Sequence, residues 1–385
     1  MPLLDSILSQ VAKMGASDVH LAVGAPPIVR LYGQLKRARR ADFTTQETEQ
    51  ILNEVISPEQ KQVLATQMQL EFAYEIPGLA RFRGNAVRQR KGLDLCFRII
   101  KPNIPSFEEL GIPPAMHKVL DNHQGLILVT GPAGSGKTTT LAAMVDYVNT
   151  TRPHHVLTIE DPIEQVHPIK KGVVNQRQVG RHTKSYANAL RASLREDPDV
   201  IVVGELRDLE TISLAMSASE TGHLVIGSMN TSSASKTVDK IIDSYPSGQQ
   251  NQIRAMMGES LRAVFTQRLL PRANGAGVVM AYELLLGTRQ LANLIKDAKT
   301  FQIPNIMQIG KNLGMRLMDE SLIDLIKAGT IAPEVGVRNG TNLKLFAQWA
   351  PGAAAAEGAP PEGAGAAAKS PPGAVGVRKG PGGGA

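Results

Sequence analysis

The segment that most constrains the fold of this chain reads GPAGSGKT at residues 131–138. An apolar run at 126–129 precedes it, and apolar residues at helical spacing follow it. A glycine-rich loop between a strand and a helix lets backbone N–H groups surround phosphate oxygens. Lys137 supplies a positive charge near the β- and γ-phosphates, and the Thr138 hydroxyl can bind Mg²⁺. The motif predicts a nucleoside triphosphate site formed by Gly131, Gly134, Ser135, Gly136, Lys137, Thr138 and Thr139.

The length of 385 residues predicts two or three domains of about 150 residues each. Cys96 is the single cysteine, which excludes an intramolecular disulfide framework and a Cys₄ zinc site. The sequence has no signal-peptide pattern and no 18-residue apolar run. We therefore expect a cytoplasmic protein.

The net charge of +7 permits attraction to nucleic acid or to anionic lipid headgroups. An aromatic content of only 4% argues against nucleic acid, because proteins that bind single strands stack the bases on aromatic side chains. A basic surface that faces a membrane or a protein partner fits better. The alternative is that the excess lysines and arginines are simply solvated.

Residue patterns divide the chain into four segments. In residues 1–100, apolar residues from Leu93 to Ile99 alternate with polar ones, which predicts a half-buried strand in a small α+β domain. Two prolines, Pro102 and Pro105, lie near the start of residues 101–114, which are predicted to be a linker. Residues 351–385 are almost entirely Ala, Gly and Pro, so we expect this tail to be disordered.

Residues 115–350 are predicted to form an α/β domain around the phosphate loop. Helical segments separate four apolar, strand-like runs, which are residues 126–129, 156–159, 200–203 and 224–227. This alternation predicts a mainly parallel sheet covered by helices. The nucleotide should then bind at the carboxyl ends of the strands.

Acidic residues follow two of these predicted strands. Glu205 comes after the run at 200–203 and is placed to act as a catalytic base or to hold Mg²⁺ through water. Glu160, Asp161 and Glu164 follow the run at 156–159, and such clustered charge favours a nearby cation. The alternative for Asp161 is that it caps a helix that begins at Pro162.

Taken together, these motifs resemble the secretion-ATPase superfamily, and most closely its PilT family of type IV pilus retraction ATPases. The resemblance lies in GPAGSGKTTT at 131–140, TIEDPIEQVH at 158–167, LREDPDVIVVGELRDLETI at 194–212 and TGHLVIGSMNT at 221–231. They look like Walker A, Asp box, Walker B and His box. GASDVH at 15–20, ARFRGN at 80–85 and residues 292–322 are also similar to that family.

The resemblance implies a PAS-like N-terminal domain joined to a RecA-like motor, with ATP and Mg²⁺ between them. It also implies a homohexamer at the cytoplasmic face of the inner membrane, where a platform protein and paralogous motor subunits would be partners. Arg81, Arg83 and Arg98 match arginines that approach the γ-phosphate in the family. The alternative is that they pair with glutamates of their own domain.

The His box departs from the family pattern at one position. His223 matches its first histidine, but Ser228-Met229-Asn230-Thr231 stands where the family usually has TLHT, so Asn230 replaces an imidazole. Asparagine can form hydrogen bonds around a γ-phosphate but cannot become cationic near neutral pH. We expect Asn230→His to keep nucleotide binding and to change turnover.

The resemblance favours an ATP-hydrolysing motor that retracts pili. An assembly or secretion ATPase fits less well, because such relatives commonly carry a Cys₄ zinc insert. A slow accessory subunit of a pilus motor remains open because of Asn230. No nucleic-acid partner is expected.

Overall fold

The computed structural model describes residues 3–31, 34–100 and 103–349. Its N-terminal domain is one antiparallel sheet of order β3-β2-β1-β6-β5-β4 with three helices. The helices are α1 (Leu3–Lys13), α2 (Thr45–Asn53) and α3 (Pro58–Gln67). The strands are β1 (Asp18–Leu21), β2 (Ile28–Leu31), β3 (Gln34–Arg37), β4 (Gln69–Ile76), β5 (Ala80–Gln89) and β6 (Gly92–Ile100).

Local sequence explains where these elements begin and which face they bury. Thr44 and Ser57 start α2 and α3 as capping boxes, in which the side chain and the backbone of the cap both pair with the third helical residue. Leu93, Leu95 and Phe97 of β6 are buried, as the alternation in the sequence predicts. The small α+β domain expected at this end of the chain is confirmed.

The larger domain contains a sheet of order β13-β12-β7-β11-β10-β8-β9. Its strands are β7 (Gly125–Thr130), β8 (His155–Glu160), β9 (Val173–Gln178), β10 (Val200–Val203), β11 (Leu224–Met229), β12 (Leu261–Pro271) and β13 (Val278–Leu286). Neighbouring strands run parallel except for β12 and β13. The four predicted apolar runs form β7, β8, β10 and β11, so the expected mainly parallel sheet is confirmed.

Helices cover both faces of this sheet. They are α4 (Phe107–Leu110), α5 (Ala115–Leu120), α6 (Lys137–Thr151), α7 (Tyr186–Ser193), α8 (Leu209–Glu220), α9 (Ala234–Asp243) and α10 (Gln250–Ser260), followed by α11 (Arg289–Lys296), α12 (Ile303–Ile309), α13 (Met318–Lys327) and α14 (Pro333–Asn339). Every residue of β7, β10 and β11 is buried. That burial explains their unbroken apolar sequences.

The connection between the domains is shorter than the linker predicted at 101–114. Phe107 and Ile112 are buried in the core of the larger domain, and Ser106 caps α4. Residues from 106 onward therefore pack with the sheet, because these apolar side chains gain more from burial than from solvent exposure. The predicted disordered tail at 351–385 lies outside the described residues. None of the described helices combines the length and apolarity needed to cross a lipid bilayer.

Candidate nucleotide site

The glycine-rich loop joins β7 to α6 at the carboxyl edge of the sheet. Gly131, Gly134 and Gly136 all have positive φ values, of 148°, 76° and 88°. A Cβ atom on Gly131 would lie 2.3 Å from the carbonyl oxygen of Gln267, so a side chain cannot be accommodated there. These glycines give the loop the tight curvature that turns backbone N–H groups towards a phosphate. Lys137 is the first residue of α6, and Thr139 lies in its first turn.

Lys137 lies at the centre of a polar network above the loop. Its Nζ donates hydrogen bonds to the carbonyl oxygens of Gly131 (2.9 Å) and Pro132 (3.0 Å) and to Oδ1 of Asn230 (2.8 Å). Partial burial lowers the pKa of the Lys137 ammonium group from its usual value. Lys137 still forms three hydrogen bonds, and the two to backbone carbonyls fix its position over the loop.

Asn230 connects Lys137 to the acidic residue after β10. Its Nδ2 donates a hydrogen bond to Oε1 of Glu205 at 2.6 Å. The other carboxylate oxygen of Glu205 accepts from Nη2 of Arg207 at 2.5 Å. The structure thus brings together Lys137, Asn230 and Glu205, three residues predicted from separate motifs.

Glu160 ends β8 on the other side of β10. It accepts hydrogen bonds from the hydroxyl of Thr158 (2.6 Å) and from Nε2 of Gln176 (3.0 Å). Burial raises the pKa of this carboxyl group. Asp161 beside it is exposed, and no helix begins at Pro162, so the alternative of a helix cap is wrong. The neighbouring residues instead form an irregular loop between β8 and β9.

A cavity of about 250 Å³ lies between the loop, the acidic residues and the N-terminal domain. Lys137, Thr138, Glu160, Glu205 and Asn230 line it. Apolar side chains of α6 form another part of its wall. Ligand cavities commonly combine an apolar wall with a few convergent polar groups.

Of the three predicted arginines, Arg83 reaches this cavity. It forms ion pairs with Glu71 of its own domain and, at 3.2 Å, with Glu164 of the larger domain. Arg81 donates from Nε to the carbonyl oxygen of Ile163 at 3.0 Å, which also crosses between the domains. Arg98 instead pairs at 2.8 Å with Asp18 on the adjacent strand β1 and does not line the cavity.

His223 is not brought to the cavity within this chain. It immediately precedes β11, whereas Asn230 immediately follows the same strand. A six-residue strand spans about 20 Å, so the two residues lie at opposite edges of the sheet. The Nδ1 atom of His223 lies 3.2 Å from the carbonyl oxygen of Ala218, at the end of α8.

Two residues at the site were missed from sequence. Gln267 of β12 is buried, donates from Nε2 to the carbonyl oxygen of Ser135 (2.6 Å) and accepts from the Thr140 hydroxyl (2.9 Å). His167 lines the cavity, and its buried Nδ1 has no hydrogen-bond partner. Burial lowers the pKa of His167 to about 4. The polar pair Thr266-Gln267 directly after the apolar run of β12 was the available signal for Gln267.

The residues present fit a nucleotide with its magnesium ion. The buried hydroxyl of Ser135 has no hydrogen-bond partner, and the exposed Thr138 hydroxyl lies at the cavity. Within the described ranges, no three His, Cys, Asp or Glu residues are grouped to hold a metal alone. Mg²⁺ usually binds through one or two protein groups, substrate phosphates and water, and the Thr138 hydroxyl is placed to be one such group.

Comparisons with known proteins agree with this geometry. The model of the type II/IV secretion system protein family matches residues 1–279. The type IV pilus retraction ATPase PilT of Pseudomonas aeruginosa is 44% identical over 331 residues, which are 86% of this chain and 96% of that protein. A twitching motility protein of Neisseria gonorrhoeae is 45% identical over 82% of this chain and 84% of its own length.

Solved structures extend the similarity to the whole described fold. A crystal structure of the pilus retraction motor PilT with bound ADP has a TM-score of 0.83 and 42% identity. It covers 90% of this chain and 98% of that one. The Legionella pneumophila ATPase DotB follows with a TM-score of 0.75 and 25% identity, over 87% and 95% of the two chains. This chain therefore belongs to the type II/IV secretion system protein family, and within it to the PilT family of type IV pilus retraction ATPases.

Proposed function

We propose that this chain hydrolyses ATP and uses the energy to power type IV pilus retraction, the depolymerisation of pilin that underlies twitching motility. The contact chain from Lys137 through Asn230 to Glu205 is the observation that carries this proposal. It joins the phosphate loop to an acidic residue inside one cavity, which is the arrangement that phosphoryl transfer to water requires. The similarity to pilus retraction ATPases supports the mechanical role.

Nucleotide binding would depend mainly on the glycine-rich loop. Its backbone N–H groups and the unpartnered Ser135 hydroxyl would bind phosphate oxygens, and Lys137 would exchange its bond to Asn230 for a phosphate oxygen. Thr138 would hold Mg²⁺, with Glu160 or Glu205 contributing through water. When bound, the ion would neutralise charge on the phosphate oxygens.

The acidic residues Glu205 and Glu160 would act in the hydrolysis step. Glu205 is already anchored on one oxygen by Arg207, so its other oxygen is free to orient and deprotonate a water once Asn230 turns to the nucleotide. Glu160 is held by Thr158 and Gln176. Its raised pKa makes it a weaker candidate for the charged base and a better one for holding water near the ion.

Arg83 would couple ATP hydrolysis to movement of the two domains. This side chain comes from the N-terminal domain, lines the cavity and pairs with Glu164 of the larger domain. Charge that builds on the γ-phosphate would attract the guanidinium group and draw the two domains together. Hydrolysis and phosphate release would then let the domains separate.

The working form that we propose is a homohexamer at the cytoplasmic face of the inner membrane. It would act on the platform protein of the pilus machine, alone or with paralogous motor subunits. Attachment to the membrane would occur through such a partner.

The decisive test of hydrolysis is Glu205→Gln. We expect ATPase turnover to fall by about 10²-fold or more, because the amide cannot accept a proton from water. Glu210→Gln is the matched control, since Glu210 pairs with Arg191 on an exposed surface. Equal turnover in the wild type and in Glu205→Gln would contradict the proposal.

A separate experiment in the native host tests whether the motor retracts or assembles pili. Deleting the gene should leave an excess of pili that do not retract and should abolish twitching. An absence of pili would point to an assembly ATPase instead. Curated type II secretion proteins match only part of this chain, for example 40% identity over 43% of it, which favours retraction.

A slow accessory subunit is the second candidate. Asn230 stands where the family usually has a histidine, and the Pseudomonas aeruginosa protein named type IV pilus ATPase PilU is 32% identical over 86% of both chains. An accessory subunit would show ATPase turnover no faster than the Glu205→Gln variant. It would restore twitching only together with a second motor subunit.

A further inference from the structure

A second cavity adjoins the phosphate loop on the side away from Glu160. This basic groove of about 560 Å³ is lined by Lys236, Lys240 and Arg268, together with neutral side chains. Lys236 and Lys240 lie one turn apart on α9, and Arg268 comes from β12. No acidic residue lines the groove in the part of the chain that the structure describes. Three positively charged side chains therefore face the same cavity.

Two of the three cations have no partner among the residues that the structure describes. The ammonium groups of Lys236 and Lys240 make neither an ion pair nor a hydrogen bond with any described residue, and both side chains are exposed. Arg268 donates one hydrogen bond, from Nη1 to the carbonyl oxygen of Asn339 at 2.8 Å, which holds the guanidinium group in place. The buried carboxyl group of Glu283 also interacts electrostatically with Arg268 but does not line the groove. Like charges at this spacing repel one another, so an anion between them lowers the energy of the groove.

The groove is continuous with the nucleotide site at two residues. Pro132 belongs to the phosphate loop, and Asn230 lines both cavities. Asn230 thus lies between the nucleotide cavity and the groove that holds the three cations. Its bonds to Lys137 and Glu205 are side-chain contacts that a rotation can break.

We propose that the basic groove is a binding site for inorganic phosphate that leaves the nucleotide site past Asn230. The proposal rests on the proposed hydrolysis for the source of the phosphate. Hydrolysis leaves a doubly charged anion beside Asn230, and the adjacent unpaired lysines give it a favourable place outside the catalytic cavity. Departure on this side also avoids the cavity face occupied by Arg83.

The first test measures binding without hydrolysis. Protein saturated with a non-hydrolysable ATP analogue has its γ-phosphate position filled, so any phosphate that still binds must do so elsewhere. We expect ³¹P NMR line broadening of inorganic phosphate with the wild type, and about tenfold weaker binding with Lys236→Gln/Lys240→Gln. The control Lys61→Gln/Lys118→Gln removes the same charge from two exposed, unpaired lysines outside the groove.

Unchanged phosphate affinity in the groove variant would overturn the proposal. An equal loss in the control would also overturn it, because phosphate would then be attracted by the net charge of the protein alone.

A second measurement follows phosphate release during one turnover. It compares the amount of ATP cleaved, measured in quenched samples, with the amount of phosphate that reaches a fluorescent phosphate sensor. Phosphate release should lag behind ATP cleavage in Lys236→Gln/Lys240→Gln but not in the control variant. If the groove variant shows no lag, the groove is not the route by which phosphate leaves. Without any cleavage by the wild type, the proposed function fails, while the binding result still decides the groove.

Discussion

At the scale of single residues, Asn230 is the side chain on which the site depends most directly. It accepts from Lys137 and donates to Glu205, so one neutral amide holds a cation and an anion in place. A neutral histidine could also accept at one nitrogen and donate at the other, although it would be bulkier. The replacement is therefore compatible with the hydrogen bonding of the site and changes its ability to carry charge.

Asn230→Asp tests this role. The new carboxylate would still accept from Lys137 but would face Glu205 with like charge, so we expect turnover to fall about tenfold or more. The nucleotide affinity should stay within about threefold, because the loop and Lys137 remain. Fluorescent-nucleotide binding and phosphate release measure the two effects. Asn230→His should also keep binding, and unchanged turnover in both variants would exclude Asn230 from the mechanism.

His167 predicts a pH dependence of stability. Its folded pKa of about 4 lies below the usual value of 6.5, so between these values the unfolded chain binds more protons. The stability that neutral His167 contributes is complete above about pH 6.5 and is lost as the pH falls towards 4. The complete loss, below about pH 4, amounts to about 3 kcal/mol in the free energy of unfolding.

Urea unfolding between pH 7 and pH 5 checks this expectation, with His167→Gln as the comparison. The variant should lose less stability on acidification than the wild type, because its side chain does not titrate. Identical slopes for the two proteins would show that His167 is not the responsible group.

At the scale of elements, β4, β5 and the loop after β8 meet at Arg83. Glu71 lies on β4, Arg83 on β5 and Glu164 in the loop, so one guanidinium group is shared between two domains. In the proposed mechanism, Glu71 competes with the nucleotide for the guanidinium group of Arg83. It thus holds Arg83 back as long as no stronger anion is present.

We expect Glu71→Gln to raise kcat/KM for ATP by about two- to fivefold, because a weaker local partner leaves Arg83 freer to reach the γ-phosphate. Arg83→Gln should lower the same parameter. Steady-state phosphate release measures both, and Glu75→Gln is the control, since Glu75 pairs with Arg81 instead. A decrease in Glu71→Gln would mean that Glu71 positions Arg83 and does not restrain it.

At the scale of the whole molecule, the residues that line the nucleotide cavity come from both domains but from a limited stretch of chain. The residues that line the nucleotide cavity fall between Arg83 and Asn230. The sheet that supports them ends with β13 at Leu286. Both stretches lie before residue 351.

Removing residues 351–385 should therefore leave ATPase turnover within about twofold of the full-length value, because every group in the cavity is retained. Mass photometry of both forms with a nucleotide analogue should show the same ring, which we expect to be a hexamer. A monomeric truncated protein would show that the tail takes part in assembly.

The sequence by itself determined the elements and the motifs. Period-2 alternation predicted β6, apolar runs predicted β7, β8, β10 and β11, and the glycine pattern predicted the loop at 131–138, because all of these are local properties of the chain. Only the tertiary structure decided which side chains meet. Asn230 and Glu205 are 25 residues apart in sequence, and strand order, not spacing, brings them to 2.6 Å. For the same reason His223 and Asn230, which belong to one sequence motif, lie at opposite edges of the sheet, since a six-residue strand separates them.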